Sequence, residues 1–171
     1  IPHTEFREVF VGGSSVFLGK DLVKKNWIND KDKELITFYK VITNKLKKDK
    51  LFKLIEGEVA TKKRHSEVLK YDPKNEIEIA FKYFYLNRTS FSGIMNRPRW
   101  GYALGSSVTP DRWVALIEPV AKKMTKAKIT CVDFRKVINA KSESDVLLYL
   151  DPPYFQASKS IYKNEFTKQD H

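Results

Sequence analysis

Cysteine is almost absent from this sequence, since Cys131 is the only one among 171 residues. A single thiol cannot form an internal disulfide, and it cannot build a metal site from several thiolates. Histidine is also scarce: His3, His65 and His171 are scattered along the chain and form no His-x-x-x-His pair. The sequence therefore predicts no disulfide framework and no metal site, and it suits a reducing compartment.

Long apolar runs are missing as well. No stretch approaches the roughly 20 apolar residues of a membrane-spanning helix, and no signal-type segment opens the chain. We therefore expect a soluble, cytoplasmic protein without a membrane partner.

Negative charge is in short supply. The chain has 32 Lys and Arg against 21 Asp and Glu, which gives a net charge of +11 and an isoelectric point near 9.6. Such a charge attracts polyanions over long range, and nucleic acid is the first candidate. A lysine run such as KLKKDK at 45–50 is equally typical of a solvated helix, so charge alone does not fix the function.

The first residues have the pattern of a strand, a turn and a helix. The segment Phe6–Val11 predicts a short strand that Gly12 and Gly13 end, and Ser14 or Ser15 can cap a following helix. A second short strand is predicted at NWIND, residues 26–30. It is followed by a helix with one apolar face made of Leu35, Tyr39, Ile42 and Leu46.

Strand patterns return near the other end, at 128–134 and at 145–150. The second of these, DVLLYL, is almost continuously apolar, which predicts a central parallel strand covered on both faces. The alternation of strands and helices indicates an α/β fold.

Residues 51–126 have a mainly helical pattern instead. One helix is predicted with Asp72 as its cap, Pro73 in its first turn and an apolar stripe of Ile77, Phe81 and Phe84. A later helix is predicted with Thr109 as its cap, Pro110 at its start and a stripe of Trp113, Ile117, Val120 and Met124. Residues 87–107 between them are rich in Gly, Arg, Asn and aromatics, which favours an exposed functional loop, although an ordinary surface loop has the same composition.

Polar or glycine residues follow each predicted strand. Ligands of an open parallel sheet bind outside the carboxyl ends of its strands, where Gly12–Gly13, Asp30, Asp133 and Asp151 would meet in one crevice. Asp30 lies 18 residues after Gly12, a spacing at which a carboxylate accepts hydrogen bonds from the ribose of an adenosine-containing cofactor. The same acid is equally suited to cap the helix that follows.

The segment DPPY at 151–154 is the most specific signal. An exact match to four residues arises by chance about once in 10⁵ positions. A proline-rich turn after a strand is common, but it does not account for an acid first and an aromatic last.

Segments in this order resemble the DNA adenine methylase (Dam-like) family of adenine-specific DNA amino-methyltransferases. They are EVFVGGSSVFLGK (8–20), WIND (27–30), YLNRTSFSG (85–93), CVDF (131–134), LDPPY (150–154) and YKNEFTKQDH (162–171). The resemblance implies a Rossmann-like, S-adenosylmethionine-dependent methyltransferase sheet. Its catalytic core would comprise 1–50 and 127–171, and 51–126 would be a helical target-recognition insertion.

The reaction that the resemblance implies is methyl transfer from S-adenosylmethionine to the exocyclic amino group of adenine in duplex DNA. That nitrogen is a poor nucleophile because its lone pair is delocalised into the ring. Asp151 and the carbonyl of Pro152, held rigid by Pro153, can accept the amino protons and redirect the lone pair, while Tyr154 stacks on the base. The base must be flipped out, because it cannot be reached within the duplex.

The resemblance also implies binding residues. On the cofactor side these are Phe10, Val11, Gly12, Gly13 and Ser14 for the methionine part, Asp30 for the ribose, and Asp133 with Phe134 for the adenine. On the DNA side they are Asn87, Arg88, Arg97, Lys159 and Lys163. A partner restriction endonuclease acting on the same site is a further expectation for such an enzyme, which would be associated with the nucleoid through its DNA.

The chain departs from the family at two motif positions and at its ends. Val9 stands where the family usually has proline, and Ser14 stands where it has a second glycine. The Ser14 side chain could crowd the cofactor, or its hydroxyl could cap the helix or contact the ligand. Family members begin earlier and continue further, which predicts that the chain is a fragment.

Two alternatives remain at this stage. One is a non-catalytic, decayed or truncated relative that binds DNA without cofactor. The other is an amino-methyltransferase acting on RNA or on protein glutamine, although such enzymes commonly have Asn at the position of Asp151. Methylation through a covalent cysteine is not expected, because Cys131 lacks a Pro-Cys context and suits the core.

Overall fold

The structure is a computed structural model, and it describes residues 1–143 and 145–153. Its strands are β1 (Glu5–Glu8), β2 (Lys25–Asn29), β3 (Lys128–Thr130) and β4 (Val146–Tyr149). Its α-helices are α1 (Ser15–Gly19), α2 (Lys33–Thr43), α3 (Lys45–Ile55), α4 (Lys62–Lys70), α5 (Glu76–Thr89), α6 (Trp113–Met124) and α7 (Phe134–Ile138). Short 3-10 helices lie at Phe91–Gly93 and Pro110–Arg112.

The four strands form one parallel sheet in the order β3-β2-β1-β4. The chain proceeds from β1 outward to β3 on one side and then returns to add β4 on the other side of β1. The strand order therefore reverses between β1 and β4, and such a switch point opens a crevice at the carboxyl ends of the strands. This sheet and its flanking helices confirm the predicted Rossmann-like α/β class.

The predicted strands are all present; β2 has the predicted length and is shifted by one residue, whereas the other three are shorter than the sequence suggested. β1 ends at Glu8 rather than Val11, and β3 ends at Thr130 rather than at residue 134. The prediction that 145–150 forms a central strand is wrong for the described residues, where β4 lies at the sheet edge. Leu148 and Leu150 are 37% and 48% exposed, because no described element covers their face.

The core lies where α2, α5 and α6 pack together. Phe38 of α2 stacks on Phe84 of α5 with ring centroids 5.7 Å apart, and Phe84 meets the edge of the fully buried Trp113 at 5.8 Å. Both predicted stripes are confirmed as core-facing: Phe81, Phe84, Trp113, Ile117 and Met124 are buried, and Ile77 and Val120 are partly buried against the core. Each large aromatic side chain buries a large apolar area, so these rings contribute strongly to holding the helices together.

Two helix predictions near α2 and α5 are wrong. Leu46 does not extend the apolar face of α2, because α2 ends at Thr43, and Leu46 is 74% exposed in the first turn of α3. Asp72 does not cap α5. Asn75 does so, by accepting hydrogen bonds from the N–H groups of Ile77 and Glu78.

A buried arginine links the sheet to α7. Arg7 on β1 is 2% exposed, and its guanidinium donates to Glu5 Oε1 at 2.6 Å and to the carbonyls of Val137 and Ala140 at 2.7 and 2.8 Å. These bonds satisfy the end of α7, since the last carbonyls of a helix have no partner within it. Within the described ranges no helix is both long and apolar enough to traverse a lipid bilayer.

Candidate active site

The glycine turn after β1 is held from both sides. Gly12 has a φ of +43°, which glycine adopts at little cost. Its N–H donates to Asp30 Oδ2 at 2.9 Å, and its carbonyl accepts from the Tyr39 hydroxyl at 2.6 Å. A Cβ added to Gly12 or Gly13 would meet nothing within 4 Å, so open space adjoins this backbone.

Asp30 supports this turn rather than the helix that follows it. Its other oxygen, Oδ1, accepts from the N–H of Asp32 at 2.9 Å. The suggestion that Asp30 caps α2 is wrong, because Asp32 does so by accepting from Glu34 N and Leu35 N. Burial raises the pKa of Asp30, and the hydrogen bonds from Asp32 and Gly12 oppose that rise.

A cavity of about 390 Å³ opens beside the turn, at the carboxyl ends of β1, β2 and β4. Seven residues predicted from the sequence line it: Phe10, Gly12, Gly13, Asp30, Asn87, Asp151 and Pro153. The parallel topology thus brings the glycine turn and the DPPY motif to one site, as the strand ends suggested.

Other predicted cofactor residues lie next to the cavity without lining it. Asp133 caps α7 by accepting from Arg135 N at 3.0 Å. Phe134 packs its ring 5.4 Å from that of Phe10, which does line the cavity. Val11 is 3% exposed and belongs to the core.

Ser14 neither crowds the cavity nor caps α1 with its side chain. It has a φ of 61°, is 1% exposed and is not among the residues that line the cavity. Its N–H donates to Val11 O at 2.6 Å, whereas its buried hydroxyl has no hydrogen-bond partner among the described residues. The serine therefore supports the turn through its backbone, in a conformation that glycine would adopt more readily.

A buried carboxyl beneath the turn caps α1 instead. Glu8, at the end of β1, is 2% exposed and accepts from Phe17 N at 3.0 Å. Burial raises the pKa of Glu8 to about 7, the bond from Phe17 lowers it, and the charge of Asp151 raises it further. Glu8 and Asp151 thus influence each other electrostatically where β1 and β4 end.

Asn29 fixes the relative positions of the strand ends. It is 1% exposed, and its amide donates to Val9 O at 3.2 Å and to Val132 O at 3.0 Å. Its Oδ1 accepts from Val132 N at 3.0 Å. The sequence did not single out Asn29 and Glu8, because the recognisable residues of their motifs are the neighbouring Asp30 and the glycines.

The DPPY motif is described only in part. Asp151 is exposed, Pro152 and Pro153 are half-buried, and Tyr154 lies outside the described residues. Asp151 and Pro153 line the same cavity as the glycine turn.

This combination of sheet, glycine turn and DPPY motif is matched by a known family. A model of the D12 class of N6 adenine-specific DNA methyltransferases matches residues 1–171, the whole chain. The chain belongs to this family. Its sheet is accordingly a methyltransferase sheet.

Three curated proteins illustrate how the D12 chain relates to longer ones. The type II methyltransferase M.CviBI of Paramecium bursaria Chlorella virus NC1A is 24% identical over 171 residues, which are 97% of this chain and 65% of the relative. The DNA N-6-adenine-methyltransferase of Escherichia phage P1 is 29% identical over 158 residues, 86% of this chain and 20% of the relative. The DNA adenine methylase of Vibrio cholerae serotype O1 is 28% identical over 182 residues, which cover 97% of this chain and 64% of the relative. The chain therefore spans at most 65% of the length of these relatives.

The residues predicted to contact DNA lie at the end of α5 and in the loop after it in this D12 chain. Asn87 donates through Nδ2 to Gly93 O at 3.2 Å, and Arg88 donates to Asn87 Oδ1 at 3.0 Å. Arg97 is exposed and has a φ of 56°. The predicted phosphate contacts Lys159 and Lys163 lie outside the described residues.

Further residues that line the cavity were not predicted. They are Lys31, Asp32, Leu35, Tyr83, Gly93, Ile94, Met95 and Asn96. The first three follow β2 directly, so the rule about strand ends applies to them too. The other five reach the cavity only because α5 packs on α2, which no local pattern reveals.

Proposed function

We propose that this chain forms the cofactor-binding and catalytic part of an enzyme that methylates the exocyclic amino group of adenine in duplex DNA, with S-adenosylmethionine as methyl donor. The observation that carries the proposal is the shared cavity. Gly12, Asp30 and Asp151 all line it. A cofactor bound along the glycine turn would therefore present its reactive group towards the DPPY motif.

The cavity residues fit an adenosine-containing cofactor. The backbone at Gly12 and Gly13 is open to a ligand, as a close approach requires. Asp30 accepts hydrogen bonds from the backbone of Gly12, Asp32 and Lys31, and a carboxylate has about four lone-pair positions, so it retains capacity to accept from a ribose hydroxyl. Phe10, supported by Phe134, offers an aromatic face beside them.

S-adenosylmethionine supplies, when bound, a sulfonium methyl group that a nucleophile can attack. The protein's part is to orient the amino group of adenine. Asp151 and the carbonyl of Pro152 accept hydrogen bonds from its two N–H groups, and Pro153 restricts the backbone that carries these acceptors. Asp151 is exposed, so an extruded base can reach it. Tyr154 follows directly in the sequence and would stack on that base.

Basic side chains would hold the DNA. We assign target recognition to 51–126 and the catalytic core to 1–50 and 127–171. Arg88 and Arg97 would contact DNA near the cavity, and Lys159 and Lys163 would neutralise phosphates. The net charge of +11 supports binding to a polyanion.

A labelled-methyl transfer assay on duplex DNA tests the proposal, with the full-length protein that carries this chain. The Asp151→Ala variant is expected to lower kcat by about 10² to 10³, because an acceptor that acts in the transition state is lost. Asp49→Asn, an exposed acid on α3, is the matched control and should leave transfer unchanged.

Two results would count against the proposal. Unchanged transfer by the Asp151→Ala variant would remove the catalytic assignment. If the wild-type protein bound duplex DNA but gave no heat with S-adenosylmethionine in calorimetry, the non-catalytic DNA-binding alternative would hold instead.

A further inference from the structure

The chain after α5 folds back on itself in a tight loop at residues 89–101, here called the 89–101 loop. Phe91 N donates to Arg99 O at 2.9 Å, and Gly101 N donates to Thr89 O at 3.0 Å. Ser90 and Trp100 form an antiparallel bridge between these bonds. A Cβ on Gly101 would lie 2.3 Å from Phe91 Cα, so the two sides of the loop base are in direct contact.

One part of this loop lines the cavity, and the residue that follows is exposed to solvent. Gly93, Ile94, Met95 and Asn96 line the cavity that we assign to the cofactor. Arg97 follows at once and is exposed. A displacement of the loop base would therefore alter the wall of the cavity and the position of Arg97 together.

One side chain from outside the loop reaches its base. His65 on α4 is 4% exposed, and its Nδ1 lies 2.8 Å from Thr89 Oγ1. The Thr89 hydroxyl also lies 2.8 Å from Tyr85 O. We assign its single proton to that carbonyl, which makes His65 the Nδ1–H tautomer and the donor to Thr89. The imidazole also meets Trp100 edge-on, with centroids 5.7 Å apart and planes at 74°.

We propose that His65 is the positioning residue of the 89–101 loop, and that it sets cofactor affinity and DNA affinity together by fixing the loop base through Thr89 and Trp100. The proposal rests on the proposed function, because it takes the cavity as the cofactor site and Arg97 as a DNA contact. It assigns His65 no contact with either ligand.

The hydrogen bond distinguishes this role from simple core packing. A leucine would fill much of the same space without donating to Thr89. An asparagine carries an amide N–H near the place of Nδ1, so it keeps the donor and loses the ring. Comparing His65→Leu with His65→Asn therefore separates loss of the bond from loss of volume. His3→Leu is the control, since His3 bonds to the backbone of Ile1 near the chain start.

The first measurement is hydrogen exchange at the amides of Phe91 and Gly101, which needs neither cofactor nor DNA. His65→Leu is expected to speed exchange at both by about tenfold, the effect of losing one buried hydrogen bond. His65→Asn should restore most of the protection, and His3→Leu should match the wild type. Equal protection of both amides in His65→Leu and wild type overturns the proposal.

The second measurement is calorimetric titration of S-adenosylmethionine and, separately, of duplex DNA. Both dissociation constants of His65→Leu are expected to rise by a similar factor, with recovery in His65→Asn. A variant that loses thermal stability while both constants stay unchanged overturns the positioning role. If the wild-type protein itself fails to bind the cofactor, the proposed function fails, whereas the exchange result still decides whether His65 holds the loop.

Discussion

Replacing Glu8 by glutamine should stabilise the protein, and only at neutral or alkaline pH. Glu8 is 2% exposed and has a pKa of about 7 against an ordinary value of 4.5. Glutamine has the same shape and can still accept from Phe17 N, but it carries no charge to bury. The variant therefore resembles the protonated form of Glu8.

The size of the effect follows from the two pKa values. They differ by about 2.5, and each unit corresponds to about 1.4 kcal/mol, so keeping the carboxylate ionised in the fold costs on the order of 3 kcal/mol. The folded state holds a proton that the unfolded state releases between pH 4.5 and 7. The stability of the wild type therefore falls as pH rises through this window and is constant, for this group, above it.

Urea unfolding at pH 5 and at pH 8 measures the difference. At pH 8 the free energy of unfolding of Glu8→Gln should exceed that of the wild type by about 3 kcal/mol, and at pH 5 the gap should be much smaller. Glu143→Gln, at an exposed glutamate, should show no such gap. A gap of the same size at both pH values, or none at pH 8, would refute the claim that burial controls the charge of Glu8.

Two other predictions concern the glycine turn and the DNA surface. Tyr39→Phe removes the hydroxyl that donates to Gly12 O, so the free energy of unfolding should fall by about 1 kcal/mol and the affinity for S-adenosylmethionine should weaken in calorimetry. Retention of both values would show that the turn does not need this bond. Affinity for duplex DNA should fall steeply with salt, and Arg97→Ala should reduce the slope of log affinity against log salt by about 0.9, the contribution of one phosphate contact. A slope near zero in the wild type would contradict phosphate binding.

The sequence was sufficient to predict that the glycine turn, Asp30 and Asp151 share one cavity, although it did not predict the residues that complete the wall. Parallel strands end at one edge of the sheet, so Gly12, Asp30 and Asp151 had to be neighbours once three strands were recognised before them. The specific DPPY motif then distinguished this edge from that of other α/β proteins. Both arguments use short-range patterns that a single sequence contains.

Helix boundaries were harder to predict from the sequence, because several residues near a helix start have side chains that can cap it. Asp72 and Asn75 are both good caps, and only the structure shows Asn75 bonded to the first turn of α5 while Asp72 pairs with Lys74. Leu46 matched the period of α2 by chance, since Asn44 starts a new helix there.

The buried polar residues could not be predicted, because their partners are remote in sequence. Arg7 bonds to carbonyls more than 100 residues away, and Asn29 reaches Val132 across 103 residues. A charged or amide side chain in a short strand ordinarily predicts an exposed face. Only the fold shows that backbone carbonyls at the end of α7 and after β3 accept the hydrogen bonds of Arg7 and Asn29.

Asp30 shows how the same residue can serve the turn and a ligand. Its two oxygens already accept the N–H groups of Gly12 and Asp32, and these bonds hold the carboxylate in place before any ligand arrives. A ribose hydroxyl would then meet a lone pair that is already oriented, so binding would cost little side-chain entropy. Burial raises the pKa of Asp30, and a hydroxyl donor would stabilise the ionised form that burial disfavours. The affinity of the site for adenosine should therefore depend on the Gly12 turn as much as on the carboxylate itself.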